Sequence, residues 1–207
     1  MYNPEVFREE DRDEITAMIR SCGLATFVTN SPQGLIATHV PMFFAENEGE
    51  HGVLYGHISK ANPQWKESSA EEALVIFQGP NAYITPAWYA SKTETGRVVP
   101  TWNYLAVHAY GAVEFYQDRA RLLEAVSHLT NLHEADRLNS WSVNDAPPEY
   151  IEGQLHAIVG VRIPIRRIEA KKKLSQNQSA QNRAGVKAGL AESPFEGDRQ
   201  IAEIIPA

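Results

Sequence analysis

Two short stretches carry groups that a plain core element avoids. GHISKANPQWK, residues 56–66, runs from a strand end into a helix start and sets Ser59, Lys60 and Asn62 (a hydroxyl, an ammonium and an amide) beside the backbone N–H groups of a helix N-terminus. Such a set suits an anion such as phosphate. An N-cap serine followed by a solvated lysine is the everyday source of the same pattern. VVPTWNYLAVHAYG, residues 98–111, reads as a strand, because Val, Thr, Trp and Tyr fit a pleated, half-buried surface. Asn103 falls outside that explanation. Polar-tipped aromatics favour places with one dry end and one hydrogen-bonding end, so this strand is either a ligand wall or subunit interface, or part of an aromatic-rich core.

A third stretch is basic. From Arg162 to Lys173 the chain carries six positive residues against Glu169 alone, which suits a phosphate or nucleic acid, or else a solvated strand face followed by a charged loop. KLSQN, Lys173 to Asn177, adds a dense run of donors where a heterocycle could be read. Other chemistry is not supported. There is no GxGxxG after a strand and no GxxxxGK[ST], so the usual dinucleotide and P-loop sites are not expected. His128 and His133 lie five apart on a helix and point about 140° apart, too far for one metal from one face. No GxSxG elbow or spaced triad stands out.

These groups need elements to hold them. The chain has 207 residues, 43% hydrophobic and 22% charged, enough for one substantial core. Its formal charge of −7 argues against broad attraction to DNA or anionic lipid. Cys22 is the only cysteine, so neither an intrachain disulfide nor a cysteine-based zinc site can form. With neither a leader-like N-terminus nor an apolar run long enough to span a bilayer, a cytoplasmic location is expected.

Periodicity predicts a helix from Asp11 to Cys22 with Asp11 and Glu14 as a capping box. Strands follow over 24–29, 35–44, 53–57 and 73–79, with a short helical crossing around Asn62 to Ser68. A short strand and ordered loop follow Gly79. The opening strand then continues to Tyr116, helices follow from Asp118 and from Pro147, and a strand with Val159, Val161, Ile163 and Ile165 on one side has Arg162 and Arg166 on the other. About six strands joined mostly by hairpins, with helices at the start, after the fifth strand and at the end, describe an α+β protein with a mainly antiparallel sheet, expected as a small barrel.

MYNPEVF, GHISKANPQW, FQGPNAYITPAWYASK, VVPTWNYLAVHAYG, LHAIVG and KLSQN followed by NRAGV fall in order along nearly the whole chain. Together they resemble the PaiB-like family of FMN-binding negative transcriptional regulators. The resemblance implies an FMN-binding split β-barrel with peripheral helices, shared with pyridoxamine phosphate oxidases, as a single domain over 1–207 with a C-terminal helical tail from about 178. It implies a homodimer with FMN at the interface. The FMN phosphate then falls to His57, Ser59, Lys60 and Asn62; Thr101, Trp102, Asn103 and Tyr104 lie along the isoalloxazine and interface; and Lys173, Ser175 and Gln176 close the site. Where such proteins often carry a Gly-Lys-Trp-Lys run before LSQN, this chain has Ala170, Lys171, Lys172 and Lys173, without the aromatic that could stack.

The expected activities are flavin-dependent redox chemistry with a reduced nicotinamide as donor, and transcriptional regulation, through DNA or a regulatory protein partner. No helix-turn-helix is evident, and DNA contact would be confined to the basic stretch or to Arg183 and Lys187. The alternatives are a haem protein using His39, His57 or His108 as axial ligand, and a colourless regulator acting through protein partners.

Overall fold

Pro41 shows how local chemistry sets the strand plan. Proline cannot donate to a ladder, and the stretch expected as one strand over 35–44 is two strands that pair with different neighbours. The computed structural model describes residues 1–68 and 72–207. In chain order its strands are β1 (Arg8–Glu9), β2 (Ala25–Ser31), β3 (Gly34–Val40), β4 (Met42–Ala45), β5 (Val53–Ser59), β6 (Ala73–Ile84), β7 (Thr101–Gly111), β8 (Glu114–Tyr116) and β9 (Ile158–Lys173). The helices are α1 (Arg12–Ser21), α2 (Gln64–Glu67), α3 (Ser91–Thr95), α4 (Arg119–Glu134), α5 (Pro148–His156), α6 (Ala180–Ala191) and α7 (Glu196–Ile204). Pairing runs in the order β3-β2-β6-β7-β9-β5-β4, with β1 and β8 also on β9.

Two compact units emerge, each assembled from separated stretches. Unit 1 comprises Met1–Met18, Gln78–Val107 and Glu169–Ala207, and unit 2 comprises Ile19–Phe77 and His108–Ile168.

In unit 2, β2 and β3 form an antiparallel hairpin closed by the pair Ser31↔Gly34. Gly34 has φ of 117°, a conformation that glycine adopts without a Cβ penalty, and the Ser31 hydroxyl donates to its carbonyl at 2.8 Å. β5 pairs with β4 on one side and with β9 on the other, both antiparallel. The alternation expected in β9 is present: Val159, Val161, Ile163 and Ile165 are buried while Arg166 is exposed. Phe27, Leu54, Val75 and Phe77 complete a dry core, each burial contributing about 1.5–3 kcal/mol before entropic costs. Gly160 faces Tyr116 across the ladder; a Cβ there would sit 2.2 Å from the Tyr116 ring, so only glycine admits that ring.

Unit 1 is organised by α6. Asn182 accepts from the Ser91 backbone N–H at 3.1 Å and donates to the Ser91 hydroxyl at 2.9 Å. One turn on, Gly185 lies against the Trp88 carbonyl and Gly189 against the Trp88 indole. The AWYAS and NRAGV segments are therefore two halves of one packing unit. The α1 cap forms only on one side: Asp11 Oδ1 accepts from the N–H groups of Asp13 and Glu14, at 2.9 and 3.0 Å, but the Asp11 N–H goes to Glu9, and Glu14 reaches Lys172. β6 also departs from expectation. It continues through Gly79 to Ile84, and a Cβ at Gly79 would lie 3.0 Å from that of Leu105.

Candidate functional site

Four of the eleven expected cofactor contacts belong to unit 2. His57 and Ser59 alternate along one face of β5, and Lys60 and Asn62 lie in the turn that leads to α2. That turn is anchored from below. Gln64 is fully buried and its carboxamide accepts from Thr38 Oγ1 at 2.6 Å and donates to Thr29 Oγ1 at 3.0 Å. Asn62 Nδ2 donates to the same Thr38 hydroxyl at 2.9 Å, while its Oδ1 accepts from the Gln64 N–H at 2.9 Å. Asn62 is thus the strut of the turn that enters α2.

The backbone donors here are also engaged. Lys60 N–H goes to the Ala157 carbonyl, Ala61 N–H to Ser59 Oγ and Asn62 N–H to the Ser59 carbonyl. The expectation of free N–H groups at a helix start is not met, because the chain closes its own turn and Pro63 has no N–H to offer. What remains for an anion is the exposed Ser59 hydroxyl and the exposed Lys60 ammonium, which forms no ion pair among the described residues.

His57 differs. Its Nδ1 is buried without a hydrogen-bond partner among the described residues, and burial lowers the imidazole below its ordinary range. It lines a cavity of about 270 Å³ with Pro41, Val126, Leu129, Thr130, His133, Glu134 and Trp141, beneath α4. Of the other strand histidines, His39 is exposed and meets Thr26 Oγ1 at 3.2 Å, and His108 packs edge-on to Tyr110.

The other seven expected contacts lie in unit 1, and the structure brings the two segments that carry them together. Asn103 is buried, and its side chain exchanges hydrogen bonds with the Ser175 hydroxyl, at 3.0 and 3.2 Å. Ser175 holds φ of 62°, the left-handed region that costs a non-glycine residue about 1–2 kcal/mol. Lys173 donates to Thr101 Oγ1 and to the Trp102 carbonyl. Its ammonium is lowered from the ordinary range by burial and then by the charge of Lys171. Gln176 folds back on its own loop, accepting from the Leu174 N–H at 2.7 Å and donating to the Lys172 carbonyl. Tyr104 lies 5.2 Å from the buried Lys171 ammonium. The Trp102 ring, by contrast, is 52% exposed and meets the 48% exposed Tyr83 edge-on at 6.0 Å.

The basic stretch is largely occupied by its own surroundings. Arg162 pairs with Glu114, Arg167 stacks on Tyr110 at 3.6 Å, Lys171 donates to the Tyr2 carbonyl, Lys172 pairs with Glu9 and Glu14, and Lys173 is bonded as above. Arg166, the sixth, is exposed and forms no ion pair among the described residues.

Sequence reasoning passed over one further cluster, in unit 2. Tyr55, Phe43, Tyr116, Arg121, Glu124, His128 and Arg162 line a cavity of about 350 Å³. Register was the missing signal: Phe43↔Tyr55, Tyr55↔Arg162 and Arg162↔Glu114 are ladder partners, so four strands present one row of side chains.

Similarity to known proteins gives the family and the fold. A family model described as "Putative FMN-binding domain" matches residues 1–167. The Bacillus subtilis "Protease synthase and sporulation protein PAI 2" is 34% identical over 206 residues, covering 99% of this chain and 96% of that protein. Among solved structures, the flavocytochrome Anf3 from Azotobacter vinelandii matches with a TM-score of 0.61 at 14% identity, over 86% of this chain and 75% of its own. The FAD and heme binding protein from Mycobacterium smegmatis matches with a TM-score of 0.58 at 12% identity, over 86% and 78%. The shared fold is the flavin-binding split barrel expected from the sequence.

Proposed function

This chain belongs to the PaiB-like family of FMN-binding domains, and from that premise we propose that it is a homodimeric flavoprotein that binds FMN and regulates through a protein partner. The observation that carries the flavin reading is the exposed Ser59–Lys60 turn, a hydroxyl and an ammonium without an ion pair among the described residues, on a strutted loop inside the matched region. A phosphate monoester fits that pair. In this reading Ser59 and Lys60 hold the phosphate and Asn62 fixes the turn. Trp102, Thr101 and Tyr104 bound the ring system, and Asn103, Lys173, Ser175 and Gln176 fix the backbone around them. His57 contributes through the packing of β5.

Bound FMN would supply two-electron chemistry, taking reducing equivalents from a donor such as a reduced nicotinamide. The protein's part is to bind, orient and shield it. Residues 1–207 are read as one domain, with α6 and α7 as its C-terminal tail, because β6, β7 and β9 each continue unbroken from one unit into the other. Regulation through a partner protein accords better than direct DNA binding with a charge of −7 and a basic stretch whose Arg162 and Lys172 are ion-paired. A cytoplasmic setting belongs to the same reading; no helix among the described residues is long and apolar enough to cross a membrane.

A visible absorption spectrum during FMN titration tests this. Flavin bands should sharpen on binding, and Lys60→Ala should weaken the dissociation constant about tenfold, the loss of one charge-assisted hydrogen bond. Equal affinity in wild type and Lys60→Ala would remove the phosphate assignment. A wild-type protein that takes up no FMN would remove the flavoprotein reading, and a Soret band on adding haem instead would direct attention to His57, whose Nδ1 lacks a partner.

A further inference from the structure

The 350 Å³ cavity of unit 2 shares no residue with the proposed flavin contacts. Its floor is the cross-strand row Phe43, Tyr55 and Arg162, whose next member Glu114 pairs with Arg162 behind it in the ladder, and α4 adds Arg121, Glu124, Ala125 and His128. Three properties of this wall are unusual for a structural ion-pair cluster.

First, two guanidiniums share one carboxylate. Arg121 meets Glu114 at 2.7 Å and Arg162 meets it at 3.4 Å. Arg162 uses one further N–H on the Tyr55 hydroxyl at 3.2 Å. Since each guanidinium carries five donors, most of the N–H groups at this end stay available, with a net positive charge. Second, carboxylates stand beside this cationic end. Tyr55 accepts from Arg162 and donates to Glu48 at 2.6 Å, so its hydroxyl stands between the cationic end and a carboxylate. Neither Glu48 nor Glu124 is ion-paired among the described residues. Third, the walls beside these charges are flat and apolar. Phe43 and Tyr55 are stacked, with centroids 5.0 Å apart and planes 14° apart, and His128 lies 4.1 Å from Phe43. Tyr116 is buried with Arg121 over its ring at 4.0 Å, and its hydroxyl forms no hydrogen bond among the described residues.

We propose that this cavity is a second small-molecule site, for a zwitterion with a flat apolar body, of the class of free aromatic α-amino acids. The carboxylate takes the available N–H groups of Arg121 and Arg162, the ammonium takes Glu48 and Glu124, and the ring lies along Phe43, Tyr55 and Tyr116. A purely anionic ligand would face Glu48 and Glu124 uncompensated, and a purely cationic one would face the two guanidiniums. The volume falls within the range of small-ligand pockets.

The test is calorimetric titration of the full chain with L-phenylalanine, 3-phenylpropionate and phenethylamine, which share the ring and differ in the poles. Phenylalanine should bind saturably, with each single-pole analogue about tenfold weaker or more. Arg162→Gln should weaken phenylalanine by a similar factor and erase its advantage over phenethylamine. Because Arg162 also ties β8 to β9, Glu124→Gln serves as the second variant: it is exposed on α4, leaves the fold intact, and should erase the advantage over 3-phenylpropionate. FMN affinity should be unchanged in Glu124→Gln, which separates this site from the flavin reading. Absence of saturable heat with phenylalanine at millimolar concentrations, or equal affinity for all three ligands, would overturn the proposal and leave the row as a set of structural ion pairs.

Discussion

Asn103 is the residue that least resembles its strand, and its chemistry is now local and specific. A buried amide without partners is costly, and this one is matched with a serine held in a left-handed conformation. Asn103→Leu removes that match and leaves the Ser175 hydroxyl buried alone, so it should lower stability by about 2 kcal/mol. Urea unfolding measures this, and an unchanged midpoint would show that the amide does not hold the turn. The sequence marked Asn103 as foreign to a core strand but could not supply its partner, which lies 72 residues away. His57 offers a second test. Burial lowers its pKa in the fold below the ordinary value near 6.5, so between those two values the unfolded chain binds a proton that the folded chain does not. Stability is then full above pH of about 6.5 and falls on acidification below it, by at most about 1.4 kcal/mol per pH unit. His57→Leu should flatten that fall; parallel pH dependences in the two proteins would show that His57 titrates normally in the fold.

At the scale of elements, α6 sets two effects against each other. Replacing a helix-interior glycine with alanine ordinarily stabilises by about 1 kcal/mol. At Gly185 the new Cβ would lie 2.1 Å from the Trp88 carbonyl, and at Gly189 2.3 Å from the Trp88 ring, so the backbone or indole must move. Overpacking of this kind costs about 1–3 kcal/mol, and the clash at Gly185 is with backbone, which yields less. Gly185→Ala should therefore destabilise, and a gain of stability in thermal or urea unfolding would mean that the Trp88 loop is not seated on α6. These contacts explain why AWYAS and NRAGV stand out together, something no periodicity reveals. Where periodicity is strong, as in α4 and the buried face of β9, the elements were legible. Where one residue decides, they were less so: Pro41 divides one expected strand into two, whereas Gly79 and Pro80, which signal a stop, lie inside β6.

At the scale of the molecule, the acidic balance and the fate of the basic stretch point the same way. Charges read along the sequence as one patch alternate along the strand, and Arg162 and Lys172 are ion-paired, so the sequence overstated them as a surface. The aromatic surface is the reverse case, since the sequence left Trp102 between a ligand or subunit wall and an aromatic core, and its exposure argues against the core. An edge-on aromatic pair half in water is the kind of apolar surface that a second copy of the chain covers. The dimer reading therefore predicts a solution mass of twice the 23.1 kDa chain. Trp102→Glu puts a charge where that contact requires a dry ring, and because the side chain is exposed and its strand is held by the Asn103–Ser175 pair, the fold should survive. Light scattering should then give the single-chain mass with an unchanged far-ultraviolet circular dichroism spectrum. FMN affinity separates the two roles assigned to this residue: a monomer with weakened FMN binding ties the flavin to the interface, and a monomer with normal binding leaves Trp102 to assembly alone. A dimer that binds FMN as tightly as the wild type would place the subunit contact and the flavin elsewhere on the molecule.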